Sequence, residues 1–424
     1  MQSRAEIEKL ESVWKAPGFV PILIAVACAF GAWSLLLPVL PLAVIDGGGS
    51  DTLAGGATAI FMLCTVLTQT QTPRMLRIVG YSPVMIVSAF LLGLPALGHL
   101  LGMDPWIVLL FSGLRGIGFG ALSVAESAVV AELVPARFLG KASGMLGVFI
   151  GLAQLVFLSL GLELAHRVSY GAVYISAAVV GVAAALLCLR VPRIKPTPPA
   201  PVEDDDAPRV PMWKLVLVPA LTVSTMSMGF GAVSSFLPAA ARDVVPGGDG
   251  AVFAGYMLSV AAASSMIFRY WAGIWADHQG EPGRLMIPSQ VFGAVGIFLL
   301  AATVQFTWPA WVLVIAAIFF GGAFGVVQNE ALLSMFYRLP RSKISEASAI
   351  WNISYDAGTG VGSALYGLLI AQFAYSGAFF AGAIVITLGI GMTALDMWLG
   401  HHRVAEYDNL RTRLTRARIV ESTR

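Results

Sequence analysis

The sequence predicts an all-α polytopic membrane protein made of two pseudo-symmetric bundles of six transmembrane helices each. Three observations predict it. Of its 424 residues 57% are hydrophobic and only 12% charged, with a mean hydropathy of +0.80, and a soluble chain carries about twice that charge. The apolar residues gather into twelve runs, most close to the roughly 20 residues that cross a bilayer core as a helix. The halves also repeat: Gly116, Gly120, Pro135, Ala142 and Ser143 recur 205 positions later as Gly321, Gly325, Pro340, Ala347 and Ser348.

The runs fall in order near 18–45, 53–72, 81–103, 106–134, 142–165 and 171–190, then 214–240, 250–275, 285–306, 311–338, 346–373 and 378–399. Each is expected to be a helix, because lipid offers no partner for unpaired backbone groups. The short alternating segments of a membrane β-barrel are absent from the sequence. Pro38 and Pro41 mark kink points in the first run. Residues 1–190 form the first bundle, opened by an amphipathic segment with Ile7, Leu10 and Trp14 on one helical face and Arg4, Lys9 and Lys15 around it. Residues 191–213 break the pattern with dense proline and the acidic run Glu203 to Asp206, the composition of an extended linker. Residues 214–399 form the second bundle. The tail 400–424, with Arg411, Arg413, Arg416 and Arg418 beside Leu410 and Leu414, is either a lipid-surface helix or a solvated basic segment.

Basic residues give the orientation. Of 26 Lys and Arg, Arg167 and Arg242 fall in turns on one side and Arg115 within a span, and the other 23 gather on the opposite side. By the positive-inside rule that side is cytoplasmic, so a cell-membrane location with both termini inside is expected. The first run is too long for a signal-peptide core and lacks a cleavage pattern, so no cleavable signal is expected. A net charge of +2 reflects this anchoring and does not suggest a nucleic-acid partner. Cys28, Cys64 and Cys188 all fall in spans, and the five His form no metal spacing. With no hydrolase or kinase constellation visible, the sequence predicts no enzyme, no metal and no cofactor.

Two short motifs stand out. Span four carries Arg115-Gly116-Ile117-Gly118-Phe119-Gly120-Ala121. After span eight comes Arg269, Gly273 and Asp277, followed by Gly280 and Arg284. With the duplicated halves, these resemble the major facilitator superfamily, and in particular its drug- and metabolite-efflux branches. The turn after span two, TPRMLRIVGYSP, keeps Arg74, Arg77 and Gly80 but lacks the aspartate that the family's loop signature carries there. The resemblance implies a monomeric transporter of a small molecule, with Arg269, Gly273, Asp277 and Arg284 as a gating latch and Asp277 facing the start of span eleven near Lys343 and Ser348. Such an Asp gains modestly from a helix N-terminus, roughly 1 kcal/mol. The resemblance also implies that Arg115 tunes proton transfer or touches substrate; the alternative is a snorkelling structural arginine. The run Asp356-Ala-Gly358-Thr-Gly360-Val-Gly362 resembles the glycine-rich helix of antiporters, although its first-half counterpart lacks the motif's Gly-Pro pair.

Embedded acids carry the chemistry, since ionisable groups within spans are rare and functional by default. Glu126, Glu330 and Asp356 lie eight to ten residues from the inner ends of spans four, ten and eleven, so all three are expected about 12–15 Å deep. A carboxyl tuned toward neutral pH can load a proton on one face and release it on the other. A hydrogen-bonded structural acid is the other reading for each. Gln154, Gln328, Asn329, Asn352, Tyr355, Trp351 and Trp33 are the candidate lining of a substrate cavity. The expectation is a proton-coupled exporter of small amphiphilic molecules or metabolites. A proton-coupled importer of a sugar or organic acid, and a lipid-handling or receptor protein on the same scaffold, remain open.

Overall fold

The structure, a computed structural model, describes residues 10–135, 138–196, 211–245, 247–279, 282–339 and 344–399. Among the described residues there is no β-strand, and eleven helices are long and apolar enough to cross a membrane. They are α1 (Phe19–Asp46), α2 (Asp51–Val79), α3 (Tyr81–Leu101), α4 (Pro105–Leu133), α5 (Leu139–Arg167), α6 (Tyr170–Cys188), α7 (Met212–Ala240), α8 (Gly250–Gln279), α9 (Met286–Phe306), α10 (Trp311–Arg338) and the long stretch Ile344–Leu399. That last stretch has 56 residues, about 84 Å of helix, against a bilayer core of about 30 Å. It divides at Ala374, whose φ of 55° and ψ of −178° are not helical. The parts, 344–373 and 375–399, are α11 and α12, which brings the spans to twelve.

Helix α1 breaks between Leu36 and Val39, at the kink point expected of Pro38. Some observed edges run beyond the expected ones, as α8 does to Gln279. Helix α2 continues past residue 72 to Val79 with Pro73 inside it. In the turns before Pro73, Thr68 and Thr72 hydroxyls bond the carbonyls of Cys64 and Thr68 at 2.7 and 2.8 Å, the kind of side-chain support that lets proline sit in a membrane helix. Residues 1–9 and 400–424, which hold most of the expected amphipathic start and all of the basic tail, lie outside the described residues. From the linker, Ile194 is described, and its carbonyl accepts from the Tyr81 amide at 3.0 Å.

The duplicated glycines have one job in each half. A β-carbon on Gly116 or Gly120 would overlap the backbone carbonyls of Phe61 and Thr65 on α2, and one on Gly321 or Gly325 would overlap those of Ala261 and Ser265 on α8. Thus α4 meets α2, and α10 meets α8, at backbone contact. Water-driven burial does not hold helices together in lipid, so this close approach and its dispersion contacts do the work. The halves meet along two seams, α2 against α11 and α5 against α8.

Gly116→Val and Gly321→Val are therefore expected to destabilise the protein by about 1–3 kcal/mol or more. Gly144→Ala, on α5 where nothing lies within 4 Å, is expected to leave stability unchanged. Thermal melts in detergent check the contrast.

Candidate functional site

The membrane faces are distinguished here by the linker: Gly80, Val134 and the two ends of the linker lie on the linker face, with the far face opposite. On the far face the halves are tied by four sets of side chains. Arg242 at the end of α7 donates to both oxygens of Asp46 at 2.6 and 2.7 Å, and the Tyr170 hydroxyl donates to the same carboxylate at 2.5 Å. Tyr375 donates to Asp51 at 3.0 Å. Tyr256 bonds Glu163 at 3.2 Å, and His166 lies 3.4 Å from Asp249. Sequence reading passed over all of these, because acids and bases in turns are ordinarily solvated.

The links continue inward. Thr58 on α2 bonds Ser235 on α7 at 3.2 Å, and Ser235 bonds Ser363 on α11 at 2.7 Å. Deepest is Gln69 on α2, whose Nε2 donates to Asp356 Oδ2 on α11 at 2.6 Å and reaches Ser123 Oγ at 3.3 Å. Gln69 and Asp356 are both buried. Toward the linker face the second seam opens: Gly255 and Gly151 pack against Ser159 and Met266, while Gly144 and Gly147 meet nothing within 4 Å. These ties between the halves lie at the far face and along α2–α11, while Gly144 and Gly147 at the linker-face end of α5 meet no neighbour.

The three predicted acids differ in surroundings. None faces lipid, for Glu126, Glu330 and Asp356 are 4%, 1% and 5% exposed. Asp356 alone bonds across the halves. Glu330 is turned toward the linker face, where it accepts from the Gly283 amide in the turn before α9. It caps that helix start, a position that favours a carboxylate through the orphan amides and the dipole. Glu126 Oε2 bonds nothing, and the carboxyl sits inside the first half on the same face of α4 as Arg115. The common depth expected from residue counting does not translate into a common site.

The remaining candidates fall into two aromatic groups. In the first half Trp33 stacks on Phe119 at 5.2 Å, with Phe30 and Phe61 around it. In the second half Tyr355 stacks between Phe324 and Trp351 at 5.6 and 5.8 Å. Trp351 Nε1 donates to the Gln328 carbonyl at 3.1 Å, and the Arg269 guanidinium lies 5.7 Å over the Trp351 ring while donating to Gln328 Oε1 at 3.2 Å. Arg269 was expected in a gating latch at the turn; instead it joins α8, α10 and α11 inside the half, because a three-carbon stem on a helix carries the charge to an aromatic face. Asn352 is engaged by the Ser348 carbonyl of its own helix at 2.9 Å. Asn329 Nδ2 is buried and unbonded, and Gln154 is half-buried on α5. Gly273 lies on α8 with Asn329 Nδ2 4.0 Å from where a β-carbon would be. The side chain of Asp277 and the whole of Lys343 lie outside the described residues, as does Gly280. Arg284 is placed beside the turn that Glu330 caps. At the linker face Arg338 ties α10 to α12 and α7 through Asp396 at 2.5 Å and the Leu215 carbonyl at 3.2 Å.

A sequence model described as the Major Facilitator Superfamily matches residues 22–338. The chain belongs to the Major Facilitator Superfamily. Solved structures of the same fold include a D-xylose-proton symporter, at 16% identity and a TM-score of 0.71 over 90% of this chain and 96% of that one. A nucleoside transporter, NupG, matches at 13% and 0.68 over 90% and 99%. A bacterial homolog of the human lysosomal transporter Spinster, in an inward-facing and occupied conformation, matches at 14% and 0.67 over 89% and 96%. This superfamily member is therefore a transporter, not an enzyme, with a small-molecule substrate.

Removing the far-face ion pair by Arg242→Ala should weaken closure by about 1 kcal/mol, the upper range for an exposed pair. A cysteine placed at Ser235, buried at the interface, should then react with a membrane-impermeant thiol reagent added from the far face about fivefold faster than with Arg242 intact.

Proposed function

We propose that the protein is a proton-coupled secondary transporter that exports small amphiphilic molecules by alternating access, with Asp356 as the group that carries the proton. The observation that supports this most directly is the buried Gln69–Asp356 hydrogen bond across the α2–α11 seam. The bond joins the two halves, so rocking of one against the other along the α2–α11 seam changes this carboxyl's surroundings. The carboxyls of Glu126 and Glu330 stay within one half.

The chemistry follows from what an amide offers. Ionised, Asp356 accepts from the Gln69 amide, and a hydrogen bond to a charged group contributes about 1.5–3 kcal/mol, against about 0.5–1.5 for a neutral pair. Protonation weakens the tie by about 1 kcal/mol. Turned over, the same amide presents Oε1, now unbonded, to the acid's O–H. Deprotonated Asp356 thus favours the far-closed arrangement, and a proton or a substrate that competes for the carboxylate favours its opening. Taking the basic linker face as cytoplasmic, this arrangement is the one in which Asp356 has released its proton and a substrate can be taken up from the cytoplasm. The stacked Phe324, Tyr355 and Trp351 suit a flat or apolar substrate body, and the Arg269–Gln328 pair and Asn352 suit its polar end.

In proteoliposomes, Asp356→Asn should cut pH-gradient-driven flux at least tenfold while leaving exchange of substrate down its own gradient. Glu330→Gln should keep coupling and lower thermal stability. Undiminished pH-driven flux in Asp356→Asn overturns the assignment, and accumulation on the linker-face side under an inward proton gradient would favour import over export.

Closure at the linker face brings the linker-face ends of α5 and α8 together, so Gly144→Leu and Gly147→Leu should fold normally yet slow transport strongly. Melting temperature and flux measured on the same preparation separate the two effects.

A further inference from the structure

The contacts that bring α4 onto α2 form a ladder, and its third rung holds Gln69. Gly116 meets the Phe61 carbonyl and Gly120 that of Thr65. One turn farther along each helix stand Ser123 and Gln69, and the Gln69 Nε2 donates to Ser123 Oγ at 3.3 Å. The second half repeats the ladder. Gly321 meets Ala261 and Gly325 meets Ser265, and one turn on, Arg269 donates to Gln328 Oε1 at 3.2 Å. In both halves a polar side chain on the glycine-bearing helix accepts from a long donor on its neighbour, at the same step of the register.

The first-half rung has a definite polarity. Ser123 donates its one hydroxyl hydrogen to the Gly120 carbonyl at 3.1 Å, so toward Gln69 it can only accept. The amide nitrogen carries two hydrogens, one for Ser123 and one for Asp356 Oδ2 at 2.6 Å. Gln69 Oε1 is left buried and unbonded. Turned over, the amide would set Oε1 against a hydroxyl whose hydrogen is already engaged, and against a carboxylate when Asp356 is ionised.

We propose that Ser123 is a positioning residue that holds the Gln69 amide nitrogen-first toward Asp356. This rests on the assignment of the proton to Asp356 and adds that the first half sets the amide in advance, because Ser123 and Gln69 both belong to it. Held so, the amide serves the ionised carboxylate; released, it can turn and accept from the protonated acid, so the proton is kept to higher pH. The charged and titratable neighbours are Tyr355 beside Asp356, Arg269 over the Trp351 ring that stacks on Tyr355, Glu126 one turn along α4 from Ser123, and Arg74 five residues along α2 from Gln69. From α10 comes Glu330, held by the Gly283 amide, and α7, packed along α11, has only Lys214 at its linker-face end.

The test follows the carboxyl itself in the full-length protein reconstituted in lipid, by infrared absorption of its protonated C=O, identified as the band lost in Asp356→Asn. In Ser123→Ala, which suits a helix, the midpoint of that band should move upward by about 0.5–1 pH unit, the difference between a charged and a neutral hydrogen bond. Ser123→Thr, which keeps the hydroxyl, should restore the wild-type midpoint. Gln69→Leu should raise it alone, with no further rise on adding Ser123→Ala, since the serine acts only through the amide. An unmoved midpoint in Ser123→Ala overturns the proposal, and so does an equal added shift in the Gln69→Leu background. Coupling is read separately. If pH-driven flux survives Asp356→Asn while the midpoints behave as expected, the transport role of Asp356 falls and the orienting role of Ser123 stands. If flux is lost in Asp356→Asn but the Ser123→Ala midpoint is unmoved, the serine's role alone falls. A spectrum in which Asp356→Asn removes no titrating band overturns both.

Discussion

Everything in this architecture depends on how closely two helices can approach in a medium that does not push them together. Lipid is as apolar as the helix surface, so contact must be made atom on atom, and the backbone is reached only where a side chain is missing. Gly116 and Gly120 against α2, Gly321 and Gly325 against α8, and Gly231 and Gly362 between α7 and α11 meet this condition. They make each half a rigid body. Rigidity within the halves leaves the seams between them as the place where the molecule can change shape.

The seams share this close approach, for Gly55 meets the Ser363 carbonyl and Gly367 that of Asp51. They add polar ties between the halves: a bidentate ion pair and phenol–carboxylate bonds at the far face, a run of hydroxyls through Thr58, Ser235 and Ser363, and the amide–carboxylate pair of Gln69 and Asp356 farthest from that face. Polar contacts of this kind can exchange partners with water, ions or substrate at modest cost, whereas interlocked backbones cannot. The surface between the halves thus combines steric fit at Gly55, Gly360 and Gly367 with bonds that can be traded.

Much of the fold was legible because bilayer thickness imposes its own period on a sequence. Twelve runs, an internal repeat at 205 positions and a proline-rich divide can be read directly, and Pro38 is visible as a break in α1. The site was less legible, for reasons specific to each residue. Counting residues gives depth along a helix axis but not azimuth or partner, so Glu126, Glu330 and Asp356 look equivalent in sequence and differ in space. Gln69 carries no charge and sits in a run of threonines and glutamines, LTQTQT; nothing marks it until α11 is brought alongside. Arg269 reads as a turn residue next to a loop signature, and only the position of Trp351 shows where its charge goes. Asp46 and Arg242 are 196 residues apart, and no local pattern joins them.

On the proposed mechanism, the difference among the acids decides which of them can do coupled work. A carboxyl held within a rigid half sees the same neighbours in every access state, so its protonation has no differential free energy with which to bias one state over another, and a ligand shifts an equilibrium only through such a difference. Glu330, held by the turn before α9, is of this kind; so is Arg115, whose carbonyl partners on α1 and α3 belong to its own half. Asp356 is different because half of its hydrogen-bonding environment belongs to the opposite bundle. When α2 leaves α11, the carboxylate loses the Gln69 donor and must take water, proton or substrate in its place. The buried position raises the stakes of that exchange, since an ionised group left unpaired there is far more costly than one at a surface. A single amide across a seam is thereby enough to link the charge of one side chain to the arrangement of two bundles.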